Sequence, residues 1–206
     1  MARHTAALVA EFRGRAAEAL DLSAAAESSP TFTYTRRLHI YEASYLLLFC
    51  AWENFLEQSL VRFLCGYRNT GGAYARVGGA AHFPSVAAAY AHLLGGKPYL
   101  LWHGAQETID RSNLHLTGGP HAAVVGSALS DLRSFAAIRN HVAHRTENTR
   151  SKFDDASRAL IGHVVKAGRA GRLLRTQTTL PATGVQCTWL DRINADLGNY
   201  AQQIAG

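Results

Sequence analysis

Residues 34–67, YTRRLHIYEASYLLLFCAWENFLEQSLVRFLCGY, decide the fold class. Pro30 precedes the run. Leu38, Tyr41, Tyr45, Leu48, Trp52, Phe55 and Ser59 then recur at spacings of three and four, a continuous stripe down one helical face. Leu46, Leu47, Phe49, Leu56, Leu60 and Phe63 widen the stripe so far that burial on more than one side is expected. A helix of that kind belongs at the centre of a domain. Tyr34, Tyr41 and Tyr45 share helical spacing and read as core or dimer packing rather than base stacking.

Helical period continues on both sides of this run. Residues 5–27 carry apolar and alanine positions at helical spacing until Ser28-Ser29-Pro30 stops them. Further helices are predicted over 127–144 and 151–167, with Gly168 and Gly171 ending the second. A last one is predicted over 188–203, opened by a capping signature of Thr188 and Asp191. Eleven of the 18 glycines fall between Gly66 and Gly126, where only short helices over 85–94 and 98–111 are expected. Residues 172–187 lack helical period and read as a hairpin or an ordered loop. The sum predicts one all-α domain over 1–206, with an N-terminal helix within 1–29 and a core over 34–204. Its architecture would be an up-and-down helical bundle with a glycine-rich central insertion and a short irregular or hairpin segment before the last helix.

Composition excludes several classes. With 48% hydrophobic and 17% charged residues, a 206-residue chain can bury a core and is not disordered. The most apolar stretch, 45–51, is seven residues against the roughly 20 that a membrane span needs. Residues 1–10 lack the apolar core of a signal peptide. Three scattered cysteines form no C-x-x-C pair and no disulfide framework, and Cys50 and Cys65 read as buried packing thiols. A soluble, reduced, cytoplasmic protein without membrane contact is expected.

The charge is uneven. Twenty-one basic residues less 15 acidic ones give +6, and only Lys97, Lys152 and Lys166 of the basic set are not arginine. Residues 133–175 hold ten basic side chains and three acidic ones, a balance of +7 that leaves −1 for everything else. Arginine's planar fork suits phosphate and carboxylate oxygens. An anionic partner would meet the protein in this segment.

The same segment contains the sharpest constellation, Phe135-Ala-Ala-Ile-Arg139-Asn140-His-Val-Ala-His144-Arg145. Phe135, Ile138 and Val142 have core spacing, which leaves the polar residues on the flanks. Asn140 and His144 lie one turn apart on one face, whereas Arg139 stands about 140° from His144. Both can serve one site if that site straddles the helix end or if a partner covers it. The plain alternative is a basic cluster that complements the helix dipole. His141 and His144 make H-x-x-H, but no third ligand sits at motif spacing, so neither a metal nor a cofactor is expected. Gly95-Gly96-Lys97 lacks phosphate-loop spacing, and no nucleophile elbow occurs.

Arg139-Asn140 followed by His144 resembles the R-x4-6-H signature of the HEPN superfamily, all-helical nucleases and nucleotide-binding proteins of toxin–antitoxin, CRISPR and anti-phage systems. Residues 46–56 (LLLFCAWENFL) with Leu64-Cys65-Gly66-Tyr67 resemble the long early helix of the RiboL-PSP branch of that group. The likeness spans about residues 34–200 and is anchored at these two places. It implies a metal-independent endoribonuclease that works as a homodimer, two motifs facing each other across one cleft. His144 would be the general acid or base, Arg139 would hold the scissile phosphate, and Asn140 would orient the phosphate or the imidazole. Glu53 would be the acidic residue of the long helix that steadies the motif, although an ordinary helix acid explains it equally well. Arg145, Arg150 and Lys152 flank the motif where an RNA backbone would run. An antitoxin or nucleotidyltransferase partner also fits the resemblance, and so does a non-catalytic module that binds RNA, a nucleotide or a protein. A plain helical scaffold is the third reading.

Overall fold

The computed structural model describes residues 3–206. Met1 and Ala2, which begin both the stretch read for a signal peptide and the domain drawn over 1–206, lie outside the described residues. The described chain is mostly helical. Nine α-helices are α1 (Ala6–Ser28), α2 (Tyr34–Leu64), α3 (Val86–Leu94), α4 (Ala105–His115), α5 (Pro120–Ser127), α6 (Leu129–His144), α7 (Glu147–Ile161), α8 (Ala170–Arg175) and α9 (Trp189–Ala205). Two antiparallel pairs complete it. Strand β1 (Arg68–Asn69) faces β2 (Gly72–Ala73), and β3 (Gln177–Thr179) faces β4 (Gln186–Thr188) with Gln177 opposite Thr188. Among the described residues no helix is long and apolar enough to cross a membrane.

The chain forms two compact units, and α1, α2 and α9 each contribute to both. The first comprises the chain up to Arg13, Trp52–Leu129 and Gly198–Gly206. Its centre is aromatic: Trp52 stacks on Phe55 at 5.6 Å, and Phe12 meets both rings. Both chain ends are tied in, since Thr5 donates from its hydroxyl to the Ala205 carbonyl and Asn69 Nδ2 donates to that of Ile204. Ser85 caps α3 by accepting from the Ala88 N–H, and Gly95 ends it in the left-handed region. Helix α4 begins at Ala105, not at 98 as its pattern suggests. Residues 98–104 instead lay the Trp102 indole inward, where its N–H donates to Glu57 at 2.8 Å. His121 is fully buried beside Phe63, with Nε2 2.7 Å from Ser59 Oγ.

The second unit comprises Gly14–Ala51 and Ser130–Leu197. Its core includes Leu38, Tyr41, Tyr45, Leu48, Phe135, Ile138, Phe153, Leu173, Leu190 and Ile193. The buried Tyr45 hydroxyl donates to the Phe135 carbonyl at 2.7 Å, which satisfies its one polar atom. Arg175 forks onto Glu27 at 2.5 and 3.0 Å and holds that carboxyl below its ordinary range; burial above all, with Glu27 second, pushes the Tyr41 hydroxyl up to about 12. Thr188 and Asp191 form the expected reciprocal cap at the start of α9. Segment 172–187 divides: its first four residues finish α8, and the remainder makes the β3–β4 hairpin.

Other sequence expectations need correction. On the long helix Leu47, counted in the widened stripe, is 54% exposed, and Cys50, read as a buried packing thiol, is exposed; the apolar stripe there is wider than the surface that covers it. Tyr34 also lies outside, 47% exposed, with the Arg172 and Arg175 guanidinium groups over its ring. Helix α7 stops at Gly162, whose φ of +78° is readily adopted by glycine, so it ends well before Gly168. The helix expected over 127–144 is α6, which begins at Leu129, and the short α5 ahead of it was not expected.

Gly171 has a different task. A Cβ there would lie 2.1 Å from the Leu38 carbonyl oxygen and 2.9 Å from its Cα, so α8 can seat against α2 only without a side chain. Gly171→Ala should therefore lose about 3 kcal/mol in chemical denaturation, at the upper end of overpacking. Gly14→Ala is the control. Nothing lies within 4 Å of its Cβ position in the middle of α1, and better helix propensity should make that variant slightly more stable. Equal stability of the two variants would contradict the close approach.

Candidate functional site

Helix α6 buries Leu132, Phe135, Ile138 and His141, a strict spacing of three. Val142 is only half-buried, and His141 takes the inward place expected of it. Its imidazole stacks on Phe153 at 4.7 Å, and Nε2 donates to the Gly168 carbonyl at 2.8 Å. One half of the H-x-x-H pattern thus packs into the core while the other half, His144, is exposed at the helix end. Among the described residues no three His, Cys, Asp or Glu side chains gather where they could hold a metal ion.

Arg139 and Asn140 sit half-buried on the flank of α6 and touch directly, Arg139 Nη1 donating to Asn140 Oδ1 at 3.2 Å. Asn140 is thereby an acceptor that fixes one corner of the guanidinium fork. His144, one turn beyond Asn140, is the last residue of α6. The three motif residues so occupy the final turn and a half of one helix.

The way the chain leaves that helix is unusual. Arg145 has φ +42° without being glycine, and its N–H closes the last turn onto the His141 carbonyl at 3.0 Å. A left-handed residue with a side chain costs about 1–2 kcal/mol. Glu42 offsets it. This carboxylate is buried on α2; Oε2 accepts from Arg145 Nη2 at 2.5 Å, and Oε1 accepts from the Gly171 N–H at 3.2 Å. One side chain therefore ties α2, the residue after His144 and the start of α8. The tie fixes the point where α6 ends, and with it His144. Thr146 and Thr149 then make a reciprocal capping box that starts α7.

Glu42→Ala would leave the buried Gly171 N–H and Arg145 without their acceptor. Loss of about 2 kcal/mol is expected, less than for a fully buried pair because the Arg145 side chain is 60% exposed. Thermal unfolding should show it as a fall of about 4–8 °C. Glu42→Gln keeps an oxygen for Gly171 and should lose roughly half as much; an unchanged midpoint in the alanine variant would dismiss the tie.

The remaining candidates divide. Arg145 and Lys152 are exposed, and Arg150 is half-buried with Nε donating to Asp154 at 2.8 Å. Glu53 belongs to the first unit, where its Oε1 lies 3.8 Å from His103 Nδ1. Glu42 escaped the sequence reading, although a signal existed: Leu38, Glu42, Tyr45 and Phe49 run at spacings of four, three and four. That places a carboxylate on a buried face, where it requires a cation.

No family model matches the chain, and no curated protein or solved structure matches it.

Proposed function

We propose that the protein is a metal-independent endoribonuclease of HEPN type, active as a homodimer, with residues 66–126 as a glycine-rich insertion in the bundle. The observation that carries the reading is the end of α6, where Arg139 is steadied by Asn140 on the helix flank and His144 stands exposed at the terminus. Arg139 grips a non-bridging oxygen of the scissile phosphate and offsets charge as it develops. The ribose 2′-oxygen attacks phosphorus, the bond to the 5′-oxygen breaks, and imidazole takes the 2′-hydroxyl proton or supplies one to the leaving oxygen. The products carry a 2′,3′-cyclic phosphate and a 5′-hydroxyl. Two copies divide the labour across the cleft, which accommodates the angular offset of Arg139 and His144. The +7 balance of residues 133–175 favours a polyanionic substrate.

This chemistry needs the ribose hydroxyl. An RNA strand should be cut and its 2′-deoxy counterpart left whole, with cyclic phosphate ends on the fragments. Cleavage of the deoxy strand would refute the mechanism, and binding of RNA without cleavage would favour the non-catalytic module. An antitoxin or nucleotidyltransferase partner belongs to the same proposal and would restrain the activity.

A further inference from the structure

Beside the end of α6, within the second unit, lies a cavity of about 350 Å³, in the size range of small-ligand pockets. Arg139, Asn140 and His144 do not line it. Its charged and titratable walls are His39 and Glu42 of α2, His141 of α6, Arg145, Glu147 and Arg150 around the start of α7, and Arg169. Among the described residues only two non-glycine residues have positive φ, Arg145 at +42° and Ala167 at +58°, and both line this cavity. Backbone held in that region gathers where a site has to be shaped.

The carboxylates orient the arginines while offsetting part of their charge. Glu42 spends its two oxygens on Arg145 and on the Gly171 N–H, and Arg150 is gripped at Nε by Asp154, which lies outside the cavity wall. Each guanidinium has five N–H donors, so both forks keep most of theirs while a carboxylate bond holds each in place. Arg150 is also pressed flat against the chain: a Cβ at Gly168 would fall 2.0 Å from its Nη1. Arg169 adds a third cation at the exposed rim. Preset forks converging on one cavity match the oxygens of a phosphate group. Glu147, on the same wall, repels a bare polyanion but accepts from a hydroxyl.

We propose that this cavity binds a ribonucleoside monophosphate unit, with Arg145, Arg150 and Arg169 on its phosphate and Glu147 on a sugar hydroxyl. The unit is either a free mononucleotide or a nucleotide of an RNA strand. The site does not require that the α6 motif be catalytic.

Calorimetry with 5′-AMP on the full chain tests it. Wild type should bind, Arg169→Ala should bind about ten-fold more weakly, and Arg133→Ala, exposed on α6 and outside the cavity wall, should bind like wild type. Arg169 is exposed and its side chain makes no capping bond at the start of α8, so that variant keeps the fold. Displacement of labelled single-stranded RNA from His144→Ala protein by 5′-AMP identifies the RNA strand as the source; binding of 5′-AMP without displacement identifies the free nucleotide. Absence of 5′-AMP binding at millimolar concentration, or equal affinity in Arg169→Ala, overturns the proposal. Neither readout depends on RNA cleavage, so failure of the nuclease reading is scored separately.

Discussion

If the proposed mechanism holds, His144→Ala should lower RNA cleavage by about 10²–10⁴-fold, the range over which a positioned general acid or base contributes. Arg139→Ala should lower it by about 10²–10³-fold, the cost in turnover of removing one donor to a developing oxyanion. Neither substitution should disturb the fold. His144 is exposed, and Arg139 is half-buried on the helix flank. Arg139→Lys separates charge from geometry: a lysine keeps the cation but loses the fork that Asn140 steadies, so it should recover only a small part of the rate. Single-turnover cleavage rates with RNA in excess chelator measure all three. Activity within a few-fold of wild type in either alanine variant would remove α6 from the mechanism.

The second large effect concerns acid. His121 is fully buried, and that burial pushes its imidazole down to about 3 from the ordinary 6.5. Ser59 Oγ, which donates to the Phe55 carbonyl at 2.7 Å, can accept the Nε2 proton, and burial keeps the ring neutral. The folded protein thus refuses a proton that the unfolded chain takes up. Stability from His121 is complete above about pH 6.5 and drains away as pH falls towards 3. At about 1.4 kcal/mol for each unit crossed, some 2–3 kcal/mol should be gone by pH 4.5. His121→Leu fills the site without a titrating group. Its denaturant-derived stability should fall less steeply than that of wild type between pH 6.5 and 4.5, by that amount. Parallel pH profiles would show that His121 is solvated or protonated in the native state.

Much of the local structure was readable because it depends on neighbours in sequence. The stripe from Leu38 to Ser59 foretold α2, the Thr188–Asp191 cap foretold the start of α9, and the lack of period over 172–187 pointed to a hairpin or an ordered loop, of which the hairpin forms after α8. The end of α6 was placed correctly at His144, though no glycine marks it. What went unread lies in contacts between distant residues. Glu42 and Arg145 are 103 positions apart, and only their pairing explains how an arginine stops a helix in the left-handed region. Gly171 looked like punctuation after a helix, yet its meaning is the Leu38 carbonyl packed against it. Exposure of Leu47 and Cys50 was invisible for a related reason. A wide apolar stripe states what could be buried, and only the packed neighbours decide how much of it is.

The candidate site divides along the same line. Arg139, Asn140 and His144 were found by spacing on one helix, a local relation. The cavity beside them draws on α2, α7 and the turn at Ala167–Arg169, which no single stretch of sequence announces.

The central claim is that the end of α6 cuts RNA without a metal. A labelled single-stranded RNA incubated in EDTA with wild type and with the Arg139→Ala/His144→Ala double variant measures this directly. Fragments ending in 2′,3′-cyclic phosphate with wild type, and intact RNA with an equally folded double variant, are the expected result. Intact RNA in both, or equal fragmentation in both, would contradict it.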